Sequence, residues 1–261
     1  AMMIGVRLPL NFNSPYKAIN IIDFWGRWHM TLSRFLKDYL YIPLGGNRKG
    51  KIRRYINLLA TMLIGGLWHG AGWTFIAWGA LHGVYLIINY AWRTIRIIIG
   101  QDLEKSTIPG RLIARVVTFV AVILSWVFFR AETFEGALSI LKSMSGLNGI
   151  SLPRMFSSNY EVFALWLAEQ GVVFKGMFIN ELAIWDPDGI LYLLILFIIV
   201  WFMPNTIQIM KNYHIIIEDN TKQVKHIIFR FNLIWSVIIS LMLALSMLYL
   251  GQASEFLYFQ F

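Results

Sequence analysis

Gly65–Gly83 reads GGLWHGAGWTFIAWGALHG, a run with two histidines, three tryptophans and no acidic or basic side chain. Each histidine closes the same local pattern, Gly66-Leu-Trp-His69-Gly70 and Gly79-Ala-Leu-His82-Gly83. Glycines beside an imidazole let a second backbone or a substrate come close. Small residues spaced i,i+4 are also the face by which membrane helices pack, and a buried histidine is often a hydrogen-bonded core residue. The stretch leaves catalysis and packing both open. Under the catalytic reading, a neutral imidazole gives and takes a proton near neutral pH. Desolvation among Trp68, Trp73 and Trp78 would favour that neutral base.

Outward from this stretch the chain stays apolar. Of its 261 residues 57% are hydrophobic and only 14% are charged, with a mean hydropathy of +0.59. That is far beyond a soluble domain and predicts a membrane protein. The 11 Trp, 11 Tyr and 19 Phe suit rings that collect at the headgroup boundary. Cysteine is absent, which excludes disulfides, thiolate nucleophiles and thiolate metal sites. The net charge of +9 is accounted for by the cytoplasmic bias of Lys and Arg in multi-span proteins, so no nucleic-acid partner is invoked.

In chain order, Ile19–Tyr41 is expected as one amphipathic helix, interfacial or re-entrant. Asp23 and Arg27 fall on its charged side, and Trp25 and His29 on its apolar side. Pro43 and Gly45-Gly46 end it. The following loop carries Arg48, Lys49, Lys51, Arg53 and Arg54 without an acid. It imitates a phosphate-binding loop, but Ile52 stands where the magnesium-holding hydroxyl belongs. Two readings remain: a cytoplasmic charge anchor, or the mouth that admits an anionic donor. Apolar segments follow at Tyr55–Trp68, short for a span, and at Trp73–Trp92, Leu112–Phe129, Gly189–Met203 and Phe231–Leu250. The histidine hairpin is thus 55–92, its first arm ending at membrane depth among glycines. Segments 48–54 and 93–115 are basic, whereas 131–188 has three basic and seven acidic residues. The former are expected in the cytoplasm, and the latter outside with the C-terminal Phe261. Within 131–188, Thr133–Met144 and Tyr160–Gln170 are expected as surface helices. The predicted fold is an all-α polytopic transmembrane bundle with re-entrant or interfacial helices, a single membrane domain over 1–261.

DFWGRWHMTLSRFLKDYLYIPLGGN (Asp23–Asn47) together with GGLWHG (Gly65–Gly70) resembles the membrane-bound O-acyltransferase family, MBOAT. RLPLNFNSPYKAINIIDFW, WVFFRAETFEGAL (Trp126–Leu138) and the FLYFQF ending look most like its alginate O-acetyltransferase branch; the teichoic acid D-alanyl transferases are more distant. The resemblance implies that His69, in G-x-W-H-G, is the principal histidine and that His29, in R-W-H-x-[ST], is the second. It also implies an acyl group, by analogy acetyl, passing from a cytoplasmic thioester, acetyl-CoA or an acyl carrier, to a hydroxyl of an extracytoplasmic polysaccharide or accessory acetyltransferase. No bound cofactor or metal is expected, and the setting implied is a bacterial-type inner membrane crossed several times. Family members carry further N-terminal helices, so these are expected from elsewhere in a longer protein or from a separate chain, and residues 1–261 alone are expected to be inactive. Trp25, Gly66, Trp68, Gly70 and His82 are expected to line the site. The alternatives are a channel or transporter element whose histidines relay protons, or an inactive partner subunit.

Overall fold

The computed structural model describes residues 8–103, 105–149, 151–153, 160–175, 187–210, 212 and 228–249. They fall into two compact units, Ser14–Phe202 and a second made of Ala1–Asn13 with Met203–Phe261.

The first unit contains α1 (Ile21–Trp25), α2 (Met30–Leu36), α3 (Gly50–His69), α4 (Trp73–Ile98), α5 (Ile108–Arg130), α6 (Phe134–Met144), α7 (Glu161–Glu169) and α8 (Pro187–Phe202). The starts are written in the sequence. Asn20, Thr107 and Thr133 each turn a side-chain oxygen onto a backbone N–H of the first turn, satisfying donors that have no partner inside the helix. One departure from an all-helical fold is a parallel pair, β1 (Ser151–Pro153) with β2 (Val173–Lys175), Ser151 opposite Val173. With three residues a side it ties together the two ends of the segment carrying α7.

Ile19–Tyr41 is not one helix. Gly26 closes α1 by donating to the Ile22 carbonyl at 3.0 Å, and His29 adopts the left-handed conformation, φ 43° and ψ 53°. A helix interior cannot hold that geometry, so the ladder breaks over Gly26–His29 and α2 starts afresh. The Asp23–Arg27 pair survives at 2.6 Å. After α2 a π-helical turn spans Lys37–Tyr41. The Asn57 amide, buried in α3, then donates to the Gly46 carbonyl at 3.2 Å and moors the glycine loop.

The first arm of the hairpin starts at Gly50, five residues before its apolar stretch, so Lys51, Arg53 and Arg54 are helical and not loop. At 1.5 Å per residue its 20 residues run about 30 Å. Arm two continues past Trp92 to Ile98. The arms meet glycine to glycine. A Cβ on Gly66 would collide with the Phe75 carbonyl, and one on Gly79 with the Met62 carbonyl. α5 packs alongside α4, burying Val122 and Phe128 in a core shared with Phe24, Trp25, Met62, Trp78 and Leu86.

Among the described residues, Trp73–Ile98 and Ile108–Arg130 are long and apolar enough to cross a membrane. The expected spans at 189–203 and 231–250 appear as shorter apolar helices, Leu191–Phe202 and Leu233–Leu248. The two helices expected in 131–188 form as α6 and α7; residues 176–186 and Phe261 lie outside the described residues.

The second unit holds α9 (Thr206–Ile209) and α10 (Leu233–Tyr249). Asn205 and Gln208 form a reciprocal capping box, Asn205 Nδ2 donates to Asn13 Oδ1 at 2.9 Å, and Phe229 is buried against Phe231 and Trp235.

Candidate active site

The break between α1 and α2 delivers His29 to the end of α3. Both imidazoles meet one indole: the Trp68 ring centroid is 4.9 Å from that of His69 and 6.3 Å from that of His29. The two are near enough for their charges to interact. Among the described residues, His29 and Ser14 are the two non-glycine positions with positive φ. Such backbone costs about 1–3 kcal/mol and persists where the surroundings enforce it. Burial holds the His29 imidazole below its usual pKa; a hydrogen bond to backbone opposes this more weakly.

His69 is 9% exposed at the C-terminus of α3, with Trp78 of α4 at 5.2 Å and Phe129 of α5 at 5.1 Å, both edge-on. Three consecutive elements therefore wall one imidazole. Its desolvation does not come from all three expected tryptophans. Trp78 is buried, but Trp68 and Trp73 are 63% and 77% exposed.

His82 lines no open space. It is 0% exposed, and its Nε2 lies 2.9 Å from Ser125 Oγ. The Ser125 hydroxyl also contacts the Val122 carbonyl at 2.8 Å. A hydroxyl has one proton, so with that proton on the carbonyl the imidazole is the donor, as the Nε2–H tautomer. Its Nδ1 and the indole N–H groups of Trp25 and Trp78 have no hydrogen-bond partner among the described residues. The His82 ring touches Trp25 at 5.2 Å and Trp78 at 4.8 Å, and stacks on Phe24 at 6.0 Å. Through Trp78 it buttresses the wall of His69.

Of the other expected lining residues, Trp68 touches both imidazoles and Trp25 packs on His82. Gly66 serves the helix crossing, and Gly70 caps α3 in extended backbone. The basic cluster is not brought to the histidines. Lys51, Arg53 and Arg54 sit in the opening turns of α3, a helix length from His69, with Arg48 and Lys49 just before them. Arg48, Lys49, Lys51 and Arg53 are exposed, whereas Arg54 lies over the rings of Tyr55 and Tyr90, at 4.9 and 4.7 Å. Ser125 was missed. Its signal was a lone hydroxyl in AVILSWVFF, where a polar group in an apolar helix calls for a partner.

Residues 1–129 match the family model described as MBOAT, membrane-bound O-acyltransferase family. A peptidoglycan O-acetyltransferase of Helicobacter pylori is 54% identical over 151 residues, 58% of this chain and 28% of that protein. A probable alginate O-acetylase AlgI of Azotobacter vinelandii is 49% identical over 143 residues, 55% of this chain and 27% of that protein. A teichoic acid D-alanyltransferase of Streptococcus thermophilus is 32% identical over 141 residues, 49% of this chain and 34% of that protein. The chain spans about a third or less of the curated relatives it matches.

Proposed function

Residues 1–129 belong to the membrane-bound O-acyltransferase family, and from that premise we propose that the chain takes part in moving an acyl group from a thioester to a hydroxyl, with His69 as general base. The observation that carries the reading is the convergence of His69 and His29 on Trp68, one of them buried against Trp78 and Phe129. A base in a water-poor wall takes a hydroxyl proton as the oxygen attacks the thioester carbonyl. The tetrahedral adduct then collapses, the carbon–sulfur bond breaks, and the thiolate recovers the proton from the imidazolium. His29, held below its usual pKa by burial, stays neutral at pH 7, which limits charge repulsion as His69 protonates; its role is to position or share the proton. An acetyl group is favoured by the names of two relatives, and a polysaccharide or cell-envelope acceptor by all three.

The donor enters in this reading from the basic end of α3 and the acceptor from the opposite end, in an inner membrane crossed several times. A cleft of about 710 Å³ between the start of α4 and Glu132–Glu135 opens at that second end, where carboxylates can hold sugar hydroxyls. The exposure of Trp68 and Trp73 supports a further requirement, for apolar helices from elsewhere in the protein or from a partner to seal the imidazole.

The test is transfer from labelled acetyl-CoA or an acyl carrier in membranes that hold the chain together with such helices. His69→Ala should lower the rate by about 10² to 10⁴, or roughly 3 to 5 kcal/mol in barrier, without loss of membrane insertion. Full turnover by a folded His69→Ala protein would remove His69 from the mechanism. Absence of thioester-dependent transfer in every pairing would favour the channel or inactive-subunit reading.

A further inference from the structure

One cleft in the first unit contains neither His29 nor His69. It measures about 1180 Å³ and opens between α1, the far half of α4, residues 101–103 and 105–107 of the connection, and the first turns of α5. Its apolar lining includes Ile88 and Trp92 on α4 and Ile113 and Val117 on α5, each more than half exposed. Its rim is cationic, with Arg93, Arg96, Lys105 and Arg111.

These four cations are not equivalent. Arg96 latches the connection, donating from Nε to Gln101 Oε1 at 3.0 Å and from a terminal nitrogen to the Asp102 carbonyl at 2.9 Å. Lys105 reaches Asp102 only at 3.9 Å, from a side chain that is largely exposed. Of the acids lining the cleft among the described residues, Asp23 is already paired with Arg27 at 2.6 Å. Arg93 and Arg111 also line the cleft, on α4 and α5, and form no ion pair among the described residues. Asn89 lines the cleft too, and its buried Oδ1 has no hydrogen-bond partner among the described residues.

We propose that this cleft holds an anionic glycerophospholipid, its phosphate between Arg93 and Arg111, a headgroup hydroxyl on the Asn89 amide and an acyl chain along Ile88, Trp92, Ile113 and Val117. The two walls are the two described helices long and apolar enough to cross a membrane, and the cations stand at their basic ends. That is the level at which headgroup phosphates lie, and basic pockets between helices take anionic headgroups there. The volume exceeds that of a drug-sized pocket, and cations beside exposed apolar side chains match an amphiphile. A nucleotide thioester shares the phosphate chemistry, but its amide-bearing pantetheine arm matches a long apolar lining less well than an acyl chain does.

The test uses the whole chain, purified in a neutral detergent and titrated with phosphatidylglycerol or phosphatidylcholine. Retention is followed by native mass spectrometry and stability by melting temperature. Phosphatidylglycerol should remain bound and raise the melting temperature by several degrees where phosphatidylcholine does not. R93E/R111E should weaken its binding about tenfold or more, while R48E/K49E, with the same charge change outside the cleft, should leave it unaltered. Equal weakening in both pairs, or no preference over phosphatidylcholine, would overturn the proposal. So would acetyl-CoA taking the place of phosphatidylglycerol at Arg93 and Arg111, which would assign the site to the donor. If the double variant does not fold, a photoactivatable phosphatidylglycerol on the unmodified chain decides: cross-links within 85–117 support the site, and cross-links confined elsewhere refute it.

Discussion

His29 occupies backbone that a residue with a Cβ enters at a cost, and glycine enters freely. His29→Gly should therefore melt higher than His29→Ala, by about 1 kcal/mol in stability, while both lose acyl transfer. Retained transfer in the glycine variant alone would reduce His29 to a backbone break. The same residue sets a pH dependence. Burial lowers its folded pKa, so between that value and the unfolded value of about 6.5 the unfolded chain binds the extra proton. Its contribution makes stability fall as pH drops below about 6.5 and level off above. Denaturant midpoints at pH 5.5 and 7.5 should differ in that sense, and less so in His29→Gly. In the helix core, Ser125→Ala strips His82 Nε2 of its partner at 0% exposure, with an expected cost of about 1–3 kcal/mol. A second change, His82→Leu, should recover part of it, and strictly additive losses in melting experiments would show that the two side chains are not coupled.

Between elements, the decisive contact is where α3 crosses α4. Gly66→Ala and Gly79→Ala each drive a methyl group into a main-chain carbonyl, and overpacking of this kind costs about 1–3 kcal/mol. Gly72→Ala meets neighbours no nearer than 3.5 Å and should melt like the parent, so an equal loss in all three would refute the crossing. Both readings of the G-x-x-H-G repeats were legible in the sequence, and the structure divides them by residue. Gly66, Gly79 and Gly83 pack helices, Gly70 caps α3, His69 stands at the candidate site, and His82 is hydrogen-bonded in the core on its Nε2 side. α5, expected from Leu112, begins four residues earlier at Ile108 behind the Thr107 cap, whereas the helix start at Thr133 was legible because capping is local chemistry. The break at His29 was not, since amphipathic spacing continues through Ile19–Tyr41 and only packing on Trp68 and α4 selects the left-handed turn. Likewise the start of α3 was hidden because hydropathy begins at Tyr55 while the hydrogen-bond ladder begins at Gly50. The Ser125 partnership links residues 43 positions apart, beyond any local pattern.

At the scale of the whole molecule, the basic ends of α3 and α4 lie together, and His69 lies with the start of α4 at the other end of the hairpin. If the hairpin crosses a bilayer with its cations inside, a cysteine at Lys49 should label only from the cytoplasm and one at Ser145 only from outside. The natural absence of cysteine keeps that experiment clean, and labelling of both from the same face would contradict it. The glycine crossing also gives the hairpin a mechanical character. On α3 the arm from Gly50 to the crossing at Gly66 is about 24 Å long, whereas the arm from Gly66 to His69 is about 4.5 Å. The pair is a lever pivoted close to its working tip. Jostling at the charged ends, where lipid and donor collide with the protein, reaches the imidazole reduced about fivefold by that ratio of arms. The hairpin can thus be handled roughly at one end and still hold its base steady at the other.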